Sequence, residues 1–319
     1  MRRNLSISAA AAAVTAMMFG GPVAAEFPEK NIIFIVPYNP GGGMDSTARQ
    51  IAKIMPKYLP NNITVVPKNV PGAGGRKGWG ELYRAKPDGY TIAVFNMPGA
   101  AIPQLMGDKV SYDINKVVWI GRMSTSPYLL GVSGKSSIKS LSDIKGLGRP
   151  LKIASTGFGS TAYAGASIAQ QVIGYQATYL TGYKGSRQYI LGVVRGDADA
   201  AVAPTQTFSK FLQSGDIRGI VTFEEKSSFA GVPTIAEAGY PELTGLGVER
   251  LVGAPPGTPA SVQKILSDAM GKAAGDADSL AWARKTKRPF SHLPASKTLA
   301  AVKKALGDFA KYPDALKKP

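Results

Sequence analysis

Two glycine-punctuated loops hold the residue types most suited to chemistry in this chain. The first, Pro37-Tyr38-Asn39-Pro40-Gly41-Gly42-Gly43-Met44-Asp45-Ser46, joins an apolar run to an amphipathic pattern. Between a strand and a helix N-terminus, free backbone N–H groups and the helix dipole favour negative charge. Glycines let an anion approach that backbone. On spacing alone the triple glycine fits an ordinary tight turn equally well. The second loop, Ser155-Thr156-Gly157-Phe158-Gly159-Ser160-Thr161, again follows a strand and opens a helix, which shifts the balance. Two loops rich in N–H and O–H donors, facing one cleft, suit a ligand with two anionic ends. Charge-assisted hydrogen bonds contribute ~1.5 to 3 kcal/mol each, and micromolar binding needs about 8 kcal/mol. A handful of neutral donors therefore suffices without a buried Arg.

Other chemistries find little support. Gly41-x-Gly43 has Ser46 where a dinucleotide fingerprint needs a third glycine, and Gly72-x-Gly74 has Lys77 there. Gly134-Lys135-Ser136 resembles the end of a P-loop, but Leu129 stands where the leading glycine belongs. The absence of Cys and the single His292 exclude disulfides, thiolate nucleophiles, Cys-rich zinc sites and any mechanism with two imidazoles. No cofactor or metal is expected. A hydrolase or transferase using Ser160 or Asp45 as nucleophile or base lacks a partner base near in sequence. Asp45 also has a plainer use, capping the first helix and ordering its loop. Asp199 fits a turn-fixing role. Trp79 and Tyr83, at i and i+4, fit a core face better than a substrate platform.

The elements that must position these loops follow from periodicity. Asn31 to Pro37 is a continuous apolar run, suited to a strand buried on both faces. From Asp45 onward Ala48, Ile51, Ala52 and Met55 share a helical face, with Pro56 as its end or kink. Further strands are expected at Ile63 to Pro67, Tyr90 to Phe95, Leu151 to Ser155, Ala177 to Leu180 and Ala200 to Ala203. Val117 to Ile120, Tyr128 to Val132 and Leu246 to Ala254 read as extended segments. Helices are expected at Lys77 to Ala85, Ala100 to Met106, Thr161 to Ile173, Arg187 to Val194, Ala260 to Ala273 and Ser296 to Ala310. This order predicts an α/β protein of two similar halves, the chain crossing near residue 123 and returning near residue 246.

Composition narrows compartment and partners. Arg2 and Arg3, the apolar Leu5 to Phe19 and the small Val23-Ala24-Ala25 read as a secretory signal peptide over residues 1–25, too short for a bilayer span. The pattern is an incomplete match to a twin-arginine signal, so general export is expected. Lys plus Arg is 38 against 21 Asp plus Glu, a formal charge of +17. Removing Arg2 and Arg3 leaves 36 basic residues against the same 21, or +15. Such a field steers anions as a class. The basic residues are scattered, so an anionic-polymer binder is the weaker reading and no nucleic-acid partner is expected.

The chain resembles the extracytoplasmic receptors of tripartite tricarboxylate transporters, the Bug proteins. The resemblance rests on Gly42-Gly43-Met44-Asp45-Ser46 with Arg49, Asn69-Val70-Pro71-Gly72-Ala73-Gly74-Gly75 and Lys86-Pro87-Asp88-Gly89-Tyr90-Thr91. It continues through Ser155-Thr156-Gly157-Phe158-Gly159-Ser160, Tyr183-Lys184-Gly185, Gly196-Asp197-Ala198-Asp199, Val232 to Gly239 and Ala254-Pro255-Pro256-Gly257-Thr258-Pro259. It implies a two-lobed type II periplasmic binding protein, a Venus flytrap of two α/β domains joined by two crossing segments. Domain 1 would be 26–123 with 246–319, and domain 2 would be 124–245. The implied function is capture of a small di- or tricarboxylate by a monomer in the periplasm, for delivery to a membrane permease without catalysis. The implied first-domain contacts are Tyr38, Gly42, Gly43, Asp45, Ser46 and Asn96. Those of the second are Ser155, Thr156, Gly159, Ser160, Thr161, Tyr183 and Thr205. Where many members place an aromatic pair, this chain has Glu249 and Arg250. Arg250 either faces the cleft and binds a second carboxylate or pairs with Glu249 at the surface; the surface pair is favoured.

Overall fold

Short apolar runs become strands covered on both sides. The computed structural model describes residues 27–317, so the expected signal peptide lies outside the described residues. The strands are β1 (Ile32–Val36), β2 (Val65–Asn69), β3 (Thr91–Met97), β4 (Val118–Ser133), β5 (Leu151–Ala154), β6 (Ala177–Leu180), β7 (Ala200–Pro204), β8 (Ile217–Thr222), β9 (Gly247–Ala254) and β10 (Leu293–Pro294). The helices of the first half are α1 (Gly43–Ile54), α2 (Arg76–Tyr83) and α3 (Ile102–Leu105). Next come α4 (Leu141–Lys145), α5 (Thr161–Ile173), α6 (Ser186–Arg195) and α7 (Thr205–Ser214). The chain ends with α8 (Ala260–Gly275), α9 (Ala277–Thr286), α10 (Ala295–Ala310) and α11 (Pro313–Leu316).

In the first lobe β2, β1 and β3 pair in parallel, and β9 joins β3 antiparallel. Along β1, Ile32, Phe34 and Val36 enter the core under α1 and α8, while Ile35 enters the core under α2. A parallel strand with a helix on each side must be apolar at every position, as Asn31 to Pro37 suggested. Trp79 is fully buried, stacked 5.8 Å from Phe95. In the second lobe β6, β5 and β7 are parallel, and β7 and β8 both pair antiparallel with the end of β4. Leu130 and Val132 face the core that includes α5; Leu129 faces the one that includes Tyr189 and Phe208.

The lobes share two long strands. β4 is one 16-residue strand where two extended segments were expected. Its first part pairs with β9 and its last part with β7 and β8, so it runs from one lobe into the other. Several elements escape the sequence pattern: α4, α7, β8, α9, β10 and α11. The last of these lies away from the lobe to which the sequence assigned it. Ala315 and Leu316 are buried in the second-lobe core, and Tyr163 donates a hydrogen bond to the Lys317 carbonyl at 3.1 Å. A C-terminal segment reaching across to α5 buries apolar side chains that an isolated tail would leave in water.

Candidate anion site between the lobes

In the first loop, α1 begins at Gly43 with Gly42 as its N-cap, a residue with no side chain to take the first-turn N–H groups. Asp45 is 3% exposed, and its carboxylate accepts from Gly41 N–H and Arg49 Nε at 2.9 Å and from Asn69 Nδ2 at 2.8 Å. Burial resists ionisation, but Arg49, Gly41 and Asn69 together hold the Asp45 pKa below its ordinary value. Asn69 also donates to the Tyr38 carbonyl at 2.9 Å and accepts from Arg49 at 2.7 Å. Asp45, Arg49 and Asn69 thus lash the loop to the end of β2. The Ser46 hydroxyl donates back to the Gly42 carbonyl at 2.9 Å. Both side chains shape the turn.

The second loop is held by neutral groups. Ser160 caps α5, accepting from Tyr163 N–H at 3.2 Å and donating to the Gly157 carbonyl at 2.7 Å. The Thr156 hydroxyl donates to Ser160 Oγ at 2.8 Å. Gly159 takes a left-handed φ of +73°, which permits the turn. Ser155 is buried, and its Oγ has no hydrogen-bond partner among the described residues. Thr205, also buried, opens α7 at the end of β7.

The lobes meet at Thr161. Its Oγ1 accepts from Gly99 N–H at 3.0 Å and from Asn96 Nδ2 at 3.1 Å, and a Cβ on Gly99 would collide with it. Lys287 adds a second bridge, donating to Ser209 of α7 at 3.1 Å. In register, Asn96 of β3, Arg250 of β9 and Ser124 of β4 stand opposite one another, forming one row across three strands. Arg250 Nη1 donates to Ser126 Oγ at 2.6 Å and Ser124 Oγ at 3.3 Å. Asn96 Oδ1 and Arg250 Nε are buried without hydrogen-bond partners among the described residues.

Arg250 departs from the surface pair favoured on sequence. Adjacent strand residues point to opposite faces, so Glu249 turns the other way and pairs with Arg122 at 3.1 Å. Arg250 stays on the inner row, where burial and then the nearby Arg288 push its pKa down to about 10, against the pull of Tyr128 and Tyr38. Burial likewise pushes the Tyr38 phenol up to about 12, opposed by the neighbouring Asn96 amide and by Arg250. Tyr183 does not join this cluster: its hydroxyl donates to Asp197 at 3.1 Å and its ring lies against Gly192 of α6.

Of the residues named from sequence, Asn96 and Thr161 meet across the lobe junction; Tyr38, Gly42, Gly43, Ser155, Thr156, Gly159, Ser160 and Thr205 lie at strand ends or in the segments that follow them, with Asp45 and Ser46 supporting the first turn. Sequence reasoning missed Ser124, Ser126, Tyr128 and Arg288. For the first three the local pattern misleads: Ser124-Thr125-Ser126 is polar and interrupts the apolar periodicity by which a buried strand is recognised. Nothing in the sequence marks Arg288. His292 sits against Gly121 and Gly271 of the first lobe, 3.2 Å from the Arg122 carbonyl, whereas Ser160 caps α5 of the second. Among the described residues, no group of His, Asp or Glu is arranged to hold a metal and no helix is long and apolar enough to cross a membrane.

Two α/β lobes joined by shared strands, hydrogen-bonded to each other at Thr161 and Lys287, define a two-lobed solute-binding protein of the Venus-flytrap type. The chain belongs to the tripartite tricarboxylate transporter family of receptors, whose family model matches residues 47–282. Members of that family are periplasmic solute-binding proteins. The chain is 28% identical to the protein BugT of Bordetella pertussis, with 70% of each chain covered. Its fold is similar to MatC of Rhodopseudomonas palustris with bound malate, at a TM-score of 0.77 and 22% identity, covering 91% of this chain and 100% of that one. R. palustris Rpa4515 with adipate gives the same TM-score and identity over 91% and 98%.

Proposed function

We propose that this protein is a periplasmic receptor that closes its lobes on a small organic carboxylate and delivers it to the membrane permease of a tripartite tricarboxylate transporter. The observation carrying this reading is the junction itself. Thr161, first residue of the helix behind the second loop, is hydrogen-bonded to Asn96 and Gly99 of the first lobe beside the inner Arg250 row. A ligand held there touches both lobes and favours their closed arrangement. Backbone N–H groups of both loops are its neutral donors, with Tyr38, Ser155 and Thr205 at the rim. The malate and adipate bound by structurally similar proteins support the ligand class. The domain division is 26–123 with 246–312 against 124–245, the final helix resting on the second lobe. The receptor acts as a monomer, exported by its signal peptide, and binds without turnover.

Stripped of ligand by partial unfolding and refolding, the protein should be stabilised by at least one small carboxylate in a thermal-shift panel. Mass spectrometry of the ligand released from freshly purified protein should identify an organic acid. A broad carboxylate panel without a shift, together with no acid released, would defeat the proposal.

A further inference from the structure

The protein holds two inward-facing arginines without an acidic partner. Among the described residues no carboxylate lies within ion-pair distance of Arg250 or Arg288, although thirteen other cation–carboxylate contacts are present. Arg250 has only the serine hydroxyls on Nη1, and its Nε is wholly buried and unpartnered. Arg288, in the turn after α9, lays its guanidinium over the first loop: a Cβ on Gly43 would sit 3.6 Å from its Nε and 3.7 Å from its Nη2. Burial lowers the pKa of both, and Arg288 lowers that of Arg250 further. Two like charges brought together and partly dehydrated destabilise the protein unless an anion joins them. Glu249, the nearest acid in sequence, is turned away to Arg122.

We propose that Arg250 and Arg288 form a two-cation clamp that selects acids with at least two carboxylates. One carboxylate is received by Arg250 between Asn96 and Ser124, the other by Arg288 above the Gly42-Gly43 turn. Guanidinium forks bind carboxylates through paired hydrogen bonds, so the clamp recognises charge number and spacing as well as charge. This rests on the receptor reading above and replaces its neutral-donor recognition with direct ion pairing at both ends of the ligand. A monocarboxylate leaves one guanidinium unmatched and binds weakly.

The test is calorimetry on ligand-stripped protein with butyrate, malate, adipate, citrate and inorganic phosphate, for the wild type, Arg250→Gln, Arg250→Lys and Arg288→Gln. At least one di- or tricarboxylate should bind tenfold or more tightly than butyrate and than phosphate. Arg250→Gln and Arg288→Gln should each weaken that acid tenfold or more, with Arg250→Lys between Gln and wild type. Ligand-free Arg250→Gln should melt above the wild type, because an uncompensated charge has been removed. A merely structural Arg250 would give the reverse: a lower melting temperature and unchanged affinity. A di- or tricarboxylate that binds equally well to both Gln variants overturns the clamp and leaves the receptor reading standing, as does butyrate or phosphate binding as tightly as the best acid. Failure of every carboxylate to bind the wild type overturns both. Should Arg250→Gln not fold, Arg288→Gln, at a turn outside the sheet, decides alone.

Discussion

The first and second loops occupy equivalent places, each after a parallel strand and before a helix, yet they are held by opposite means. A buried carboxylate braces the first: Asp45 binds Gly41, Arg49 and Asn69, tying the turn to β2. The second is closed by hydroxyls alone, Thr156 to Ser160 to the Gly157 carbonyl. An ionic brace is strong, depends on pH, and fails when one partner goes. A hydroxyl cap is weaker and indifferent to pH near neutrality. In neither loop do these side chains supply the charge that a polyanionic ligand would need. Two arginines without an ion pair among the described residues, Arg250 and Arg288, stand outside both loops, on β9 and after α9.

Breaking the brace should have the largest effect. Asp45→Ala leaves the loop N–H and Asn69 amide without their acceptor and should cost about 2–3 kcal/mol, reduced from a fully buried pair because Arg49 is half exposed. Urea unfolding measures it. Acid sharpens the same point. Because folding depresses the Asp45 pKa, its contribution is complete above the unfolded value of about 4 and is lost as pH falls through the lower folded value. Hydrogen exchange should therefore quicken over residues 37–46 below pH 4 while residues 155–161 keep their protection; equal loss in both loops would remove the distinction. Gly99→Ala, whose Cβ meets Thr161, should hold the lobes apart and weaken carboxylate binding about tenfold, near 1.4 kcal/mol. A raised radius of gyration in X-ray scattering with ligand would accompany it, and unaltered affinity would mean that the junction tolerates a methyl group. Ser160→Ala should be mildest, about 1 kcal/mol of lost helix cap. If it equals Asp45→Ala in urea, the two loops are not differently built.

Much of the scaffold is legible because its causes are local. α5 and β6 have the bounds that periodicity sets, and the first helix yields to a tight turn at Met55–Tyr58, where Pro56 predicts a break. The clearest failure lies at β4. Ser124-Thr125-Ser126 reads as a polar gap between two strands, but Ser124 and Ser126 are buried strand residues facing Arg250. An inward polar row breaks the apolar pattern by which a buried strand is recognised. Arg250 fails differently. Alternation along Leu246 to Ala254 already separates it from Glu249, so the favoured surface pair conflicted with a rule visible in the sequence.

The sequence by itself determined the alternating strands and helices, the two glycine turns and the direction of their N–H groups, since each depends on neighbours within a few residues. Only the tertiary structure decided which charges face inward. Arg250 meets Ser124 across 126 residues of chain, and Arg288 reaches Gly43 from the far end of the molecule. Such meetings are set by strand register and by the return of the chain between lobes, and no local spacing encodes them.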